Sequence, residues 1–298
     1  MRAGASQDAA DRVAAALFPG SLAAAAASGP MLMEALAEVR EFVAAGAAGA
    51  EEALLPAGEA RFLAPTDPRV MRDFMSFEKH IINATRRLGG QPPETVYRLP
   101  VSYKGNPTTL LGQDDVVPWP SYTERMDYEM ELGFVVGRGG RDLTPEEAVN
   151  ALLGVTIFND FSARDIQKEE MGGMLGPAKG KDFATGLGPW IVTLDELDLA
   201  NLSMTVRVNG EERSNGVSGE MMWSPAELVA WASAGEQLHP GDLIGSGTVG
   251  EGCGLELGFF LGPGDTVELE VGGIGVLRNT IGQPEPRRWY PSPRQPSL

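Results

Sequence analysis

The stretch Tyr128-Glu129-Met130-Glu131-Leu132-Gly133-Phe134-Val135-Val136 governs how the rest of the chain is read. Its apolar residues mark a buried strand, and on a strand residues i and i+2 face the same way. Glu129 and Glu131 therefore project together from one face, about 7 Å apart. Two carboxylates leading into an apolar run are costly unless something positive lies between them. A hard divalent cation meets that need; a solvated strand edge with lysine or arginine partners is the alternative.

Four other stretches carry chemistry. Val155 and Ile157 form an apolar strand that ends at Asn159-Asp160, where Asp160 is either a third inward carboxylate or a helix N-cap; Arg164 and Gln167 follow at helical spacing. Gly176 to Thr185 is a glycine-containing loop that holds Lys179 and Lys181 without the spacing of a P-loop. Asp73 and His80 lie seven residues apart in a helix-like patch over 69–87, a spacing that puts both on one side of a helix. Pro240-Gly241-Asp242 leads through a strand into a Gly/Ser/Thr turn ending at Gly247-Thr248. Glu256 follows between two leucines and, if buried, needs a partner. His239 reads as a loop residue and Cys253 as a small packing residue.

The remaining texture sets the architecture. Residues 1–65 are Ala-rich, with Gly29-Pro30 opening a helix that carries Met31, Leu32, Ala35, Leu36, Val39, Phe42 and Val43; they form a small N-terminal segment. Residues 66–285 are rich in strands (129–136, 154–158, 190–193, 203–208, 266–271 and 275–279), with helices opened by Thr144-Pro145 and Ser224-Pro225. Asn209-Gly210 marks a hairpin turn. Residues 286–298 form a Pro/Arg-rich tail. Together these predict an α+β catalytic domain dominated by strands.

The 298 residues are enough for one large domain with a small companion. Asp plus Glu number 41 against 24 Lys plus Arg, a net charge of −17 that speaks against nucleic-acid binding. One cysteine and two histidines exclude a disulfide framework and leave too few soft ligands for most zinc or copper sites. No apolar run is long enough to span a membrane, and no secretory pattern opens the chain, so a cytoplasmic location is expected.

In this order, the motifs resemble the fumarylacetoacetate hydrolase family, in its fumarylacetoacetase-like branch, over roughly residues 65 to 280. They are Asp73…His80, Tyr103, Glu129-x-Glu131, Asn159-Asp160-x-Ser162-Ala163-Arg164-Asp165-Ile166-Gln167, Gly180-Lys181, Pro240-Gly241-Asp242, Gly247-Thr248 and Glu256. The resemblance implies a mixed β-roll or β-sandwich domain and a homodimer. It implies Mg²⁺, or alternatively Ca²⁺ or Mn²⁺, held by Asp73, Glu129, Glu131 and Asp160. It also implies metal-dependent hydrolysis of a carbon–carbon bond in a β-diketone or acyl-β-keto acid, small and anionic, resembling fumarylacetoacetate or an acylpyruvate. His80 and Glu256 match the pair that activates water. Arg164, Gln167 and Lys181 match the groups that stabilise the oxyanion, and Tyr103 and Thr248 match substrate-contacting positions. Isomerases, decarboxylases and dehydratases of keto and hydroxy-dienoate acids share this scaffold, and retention of His80 favours hydrolysis. Met75 stands where the branch carries tyrosine, and Gly89 where a substrate-binding arginine is expected, so the pocket wall departs from the family pattern.

Overall fold

A computed structural model describes residues 6–295. Among the described residues there are fourteen strands: β1 (Met71–Phe74), β2 (Ser102–Lys104), β3 (Leu110–Leu111), β4 (Val116–Trp119), β5 (Met126–Asp127), β6 (Met130–Val136), β7 (Leu152–Asn159), β8 (Ser162–Ala163), β9 (Thr185–Thr193), β10 (Ser203–Val208), β11 (Glu211–Val217), β12 (Leu243–Gly245), β13 (Thr266–Val271) and β14 (Gly275–Pro284). The helices are α1 (Gln7–Leu17), α2 (Leu22–Ala26), α3 (Pro30–Ala44), α4 (Ala50–Ala53), α5 (Glu78–Arg87), α6 (Pro145–Val149), α7 (Arg164–Gly172), α8 (Pro225–Ser233) and α9 (Gly254–Leu257). Two mixed sheets carry the α+β fold: seven strands in the order β2-β1-β12-β6-β7-β9-β3, and five in the order β11-β10-β13-β14-β4.

The main core gathers side chains of both sheets. Leu132, Phe134 and Val136 of β6 and Val155 and Ile157 of β7 belong to it with Met204 and Val206 of β10 and Val267 and Leu269 of β13. Alternation then sends the odd-numbered residues of β6 to the other face of the seven-stranded sheet, where Val135 packs with Met71, Phe158 and Leu243. Asp73, Glu131 and Gly245 share the parity of those residues, so the same face carries the carboxylates.

Local chemistry explains the elements that match expectation. Thr144 and Ser224 cap α6 and α8 with complete capping boxes, each followed by proline in the first turn. Asn209 and Gly210, at φ +54° and +78°, turn β10 into β11. Gly29 and Pro30 open α3.

One expectation fails. Residues 69–87 are not a single helix: Met71–Phe74 is a strand, parallel to β12 and antiparallel to β2, and only Glu78–Arg87 is helical. Asp73 and His80 therefore do not share a helix face. Pairing on both edges gives this four-residue segment its ladder bonds, which outweighs its local pattern. Residues 286–295 have no regular structure, and residues 296–298 of the expected tail lie outside the described residues. No helix among the described residues is long and apolar enough to cross a membrane.

Candidate active site

The strand order builds the first wall of the site. Asp73 of β1 lies opposite Tyr103 of β2 on one side and Gly245 of β12 on the other, and Gly245 lies opposite Gly133 of β6. Glu131 sits two residues before Gly133, and Asp160 directly follows the end of β7. Oxygens of Asp73, Glu131 and Asp160 consequently lie within 4.8 Å of one another, all three residues buried. Gly245 makes this approach possible, since a Cβ there would lie 2.4 Å from Asp73 Oδ1 and 3.2 Å from Glu131 Oε2.

The cluster is short of positive charge. Oδ1 of Asp73 and Oδ1 of Asp160 are buried without a hydrogen-bond partner. Burial first, and then the neighbouring Asp160, push the Asp73 carboxyl well above its usual range; burial and Asp73 do the same to Glu131. Burial raises Asp160 to about 6, against the opposing attraction of Lys181. A hard divalent cation satisfies this donor set: the ligands are all oxygens, two are unpartnered, and their mutual repulsion needs charge compensation.

Glu129 stands apart from the other three. Arg164 Nη2 donates to it at 2.8 Å, and Lys181 Nζ donates to both Glu129 and Asp160. Burial alone would raise the Glu129 carboxyl, but Arg164 and then Lys181 overcome this and hold it well below its usual range. Glu129 thus has the arginine and lysine partners of the strand-edge alternative but is buried rather than solvated, whereas its neighbour two residues on joins the acidic cluster. Asp160 is not an N-cap: α7 starts four residues later, after Ala163.

Helices form the second wall. His80, in the first turn of α5, meets Glu256 of α9 with Nδ1 2.6 Å from Oε1; the two residues are 176 apart in the chain. A carboxylate only accepts, so this contact places a proton on Nδ1; in the neutral imidazole Nε2 then carries the lone pair. Glu256 also accepts from Asn83 Nδ2 and the Glu251 N–H, both at 2.9 Å, and Cys253 Sγ lies 3.5 Å from it. Asn83 escaped the sequence reading, though its place one helical turn after His80 was a usable signal. Arg164 Nη1 donates to Gln167 Oε1 at 3.0 Å along α7, as the spacing of the two residues predicts.

Asp127 also escaped it. Fully buried, it accepts from Arg164 Nε at 2.7 Å and from the backbone N–H groups of Gly254 and Leu255 at 2.7 and 2.9 Å. It thereby ties the arginine to the start of the helix that carries Glu256. Its alternation with Glu129 and Glu131 was visible in the sequence.

Tyr103 and Thr248 line the same cavity and also steady its carboxylates. Tyr103 Oη donates to Asp160 Oδ2 at 2.8 Å, and Thr248 Oγ1 donates to Glu131 Oε1 at 3.1 Å. The Gly247 N–H donates to Glu131 Oε2 at 3.0 Å. His80, Arg164, Gln167, Lys181, Asp73, Glu129 and Glu131 open on this cavity of about 320 Å³, with Asp160 buried behind Tyr103 and Lys181. His239 lies outside the lining, its N–H bonded to Asp242.

Known proteins resemble this chain over the same region. An uncharacterized protein of Pyrococcus abyssi is 34% identical over 209 residues, 70% of this chain and 88% of the relative. An uncharacterized protein of Staphylococcus aureus is 37% identical over 179 residues, so that the chain spans only 59% of that relative's length. Among solved structures, a 2-hydroxyhepta-2,4-diene-1,7-dioate isomerase from Mycobacterium marinum superposes with a TM-score of 0.63 at 31% identity, covering 76% of this chain and 80% of that one. A fumarylacetoacetate hydrolase from Exiguobacterium antarcticum gives 0.62 at 32% identity, covering 74% and 78%. The family model of the fumarylacetoacetate (FAA) hydrolase C-terminal region matches residues 69–282, the span that holds every residue of the two walls, and the chain belongs to that family.

Proposed function

We propose that this protein is a metal-dependent hydrolase that cleaves a carbon–carbon bond in a β-diketone or acyl-β-keto acid resembling fumarylacetoacetate or an acylpyruvate. The observation that carries this reading is the His80–Glu256 contact, which opens on the same cavity as the acidic cluster. Asp73, Glu131 and Asp160 would hold Mg²⁺, or Ca²⁺ or Mn²⁺ in its place, with Glu129 beside them on Arg164 and Lys181. The cation, when bound, supplies Lewis acidity toward the oxygens of a small anionic substrate.

The chain's own groups divide the remaining work. Glu256 fixes the imidazole, and Nε2 of His80 takes a proton from water. The water oxygen bonds to the acyl carbonyl carbon, and the bond from that carbon to the methylene carbon between the two carbonyls breaks. The released electron pair is held by that carbon and the remaining carbonyl as an enolate, whose carbon recovers the proton from the imidazolium. The products are a carboxylic acid and a keto acid or ketone. Arg164, Gln167 and Lys181 donate toward the oxygens that gain charge, and Tyr103 and Thr248 border the substrate.

A second reading follows from the relatives named as isomerases: isomerisation, decarboxylation or dehydration of a keto or hydroxy-dienoate acid on the same residues. None of these reactions needs an activated water, so His80 separates the readings. A panel of diketo acids is incubated with Mg²⁺ in ¹⁸O-labelled water, with wild type and His80→Ala. Two products, the label in the new carboxylate and loss of turnover in His80→Ala are expected. A product of unchanged mass, loss of carbon dioxide or water, or turnover indifferent to His80 would overturn hydrolysis in favour of the second reading.

A further inference from the structure

The cavity has two chemically different ends, and the two helices of its second wall give it direction. On α5, His80, Ile81, Ala84, Thr85 and Leu88 line it, the i, i+3/i+4, i+7 spacing of one helical stripe. At 1.5 Å per residue, His80 and Leu88 lie about 12 Å apart along the axis. On α7 the lining runs Arg164, Gln167, Lys168, Met171 with the same spacing. The first turns thus place His80 and Arg164 beside the carboxylates, while Leu88, at the C-cap of α5, and Met171, in the last turn of α7, are apolar, with Thr85 and Lys168 between them. Met75, Val101 and Pro177 add further apolar lining. Leu88, in the lining, is 58% exposed.

Cations are scarce at this end. Arg164 and Lys181 are engaged by Asp127, Glu129 and Asp160 at the other. Arg86 and Arg87 of the last turn of α5 are off the lining stripe, and the Arg87 guanidinium lies against Gly258. Lys168, one turn above Arg164, is the single cation among the described residues that lines the cavity beyond the reactive end. Met75 and Gly89 supply no polar group here.

We infer that the substrate is a monocarboxylic keto acid with an uncharged, apolar acyl tail, rather than a dicarboxylate. The inference rests on the proposed reaction only for the orientation of the substrate, with its keto-acid end at the acidic cluster. The tail lies along Ile81, Ala84 and Leu88 and gains by leaving water.

The test uses matched tails on one head group, with Mg²⁺ present. Hexanoylpyruvate is compared with adipoylpyruvate, and butanoylpyruvate with succinylpyruvate, so that a terminal methyl alone is exchanged for a carboxylate. The alkyl member of each pair is expected to have a kcat/KM at least about tenfold higher, rising about fourfold per methylene from butanoyl toward hexanoyl. Leu88→Arg, at an exposed position, is expected to reverse the preference. Equal or better turnover of the carboxylate-tailed members would overturn the inference, as would a preference for them abolished by Lys168→Met. Binding of 2-oxooctanoate against 2-oxooctanedioate, read as thermal shift with Mg²⁺, keeps the two readings apart. If no acylpyruvate is cleaved, tighter binding of the mono-acid upholds the apolar tail while the reaction falls, and tighter binding of the dioate overturns the tail.

Discussion

The strand wall and the helix wall of the site solve opposite electrostatic problems. On the strand wall, Asp73, Glu131 and Asp160 crowd together with two oxygens unpartnered and their carboxyls pushed upward. On the helix wall, Glu256 is buried too, with its side chain 1% exposed, yet it is met by His80, Asn83 and a backbone N–H. The difference is one of scaffolding. A ladder bonded on both sides can hold like charges at fixed spacing and leave a deficit for a ligand to fill. A helix turn brings its own donors at i+3 and leaves no deficit. On the proposed function, the strand wall binds the cation and the helix wall holds a proton acceptor and a tail.

The largest effect that would break this contrast belongs to His80. His80→Ala should lower the rate of hydrolysis by about 10²–10⁴-fold while leaving the Mg²⁺-induced rise in Tm intact. Loss of the Tm rise would mean that the two walls are not independent. Asp127→Asn comes next. It leaves the buried Arg164 guanidinium with Glu129 as its remaining carboxylate and should cost roughly 1–3 kcal/mol in denaturant unfolding, against almost nothing if Asp127 merely fills space.

Glu131→Gln sharpens the comparison from the other side. Wild type at Mg²⁺ near a hundred times Kd should gain about 2.7 kcal/mol, and the variant should gain little. This gain should depend on pH in a definite sense. Asp160 rises from 3.8 to about 6 on folding, so between those values the native state holds more protons than the unfolded chain. Metal-free stability then falls as pH rises through that window. The cation competes with those protons, so its stabilisation should be small at pH 5 and larger above 6. A Mg²⁺ shift that is flat with pH would count against the carboxylate cluster as its site. The smallest effect concerns the exposed ion pair on α5, Lys79 with Glu251 at 2.9 Å, both about half exposed. Lys79→Ala should cost about 0.2–1 kcal/mol, less at high salt, and leave Mg²⁺ binding unchanged.

Legibility in the sequence followed the range of the interactions. The capped starts of α6 and α8 and the Asn209-Gly210 turn depend on residues within a few positions, and each was readable. So was β6, whose apolar run is buried throughout. Met71–Phe74 was not, because its four residues carry no period of their own and become a strand only between β2 and β12. Asp127 and Asn83 carried usable spacing signals, but their partners lie 127 and 173 residues away.

The amino-acid order by itself determined the family, the α+β class and most of the candidate residues of the site, Asn83 and Asp127 excepted. Strand alternation and ordered motifs encode which face a residue takes and which side chains are present. Only the tertiary structure decided the pairings: Glu129 with Arg164 and Lys181, Glu131 with Asp73 and Asp160, His80 with Glu256. Charges choose partners by distance through space. That distance is set by strand order and by which side of each sheet is packed, neither of which a local pattern carries.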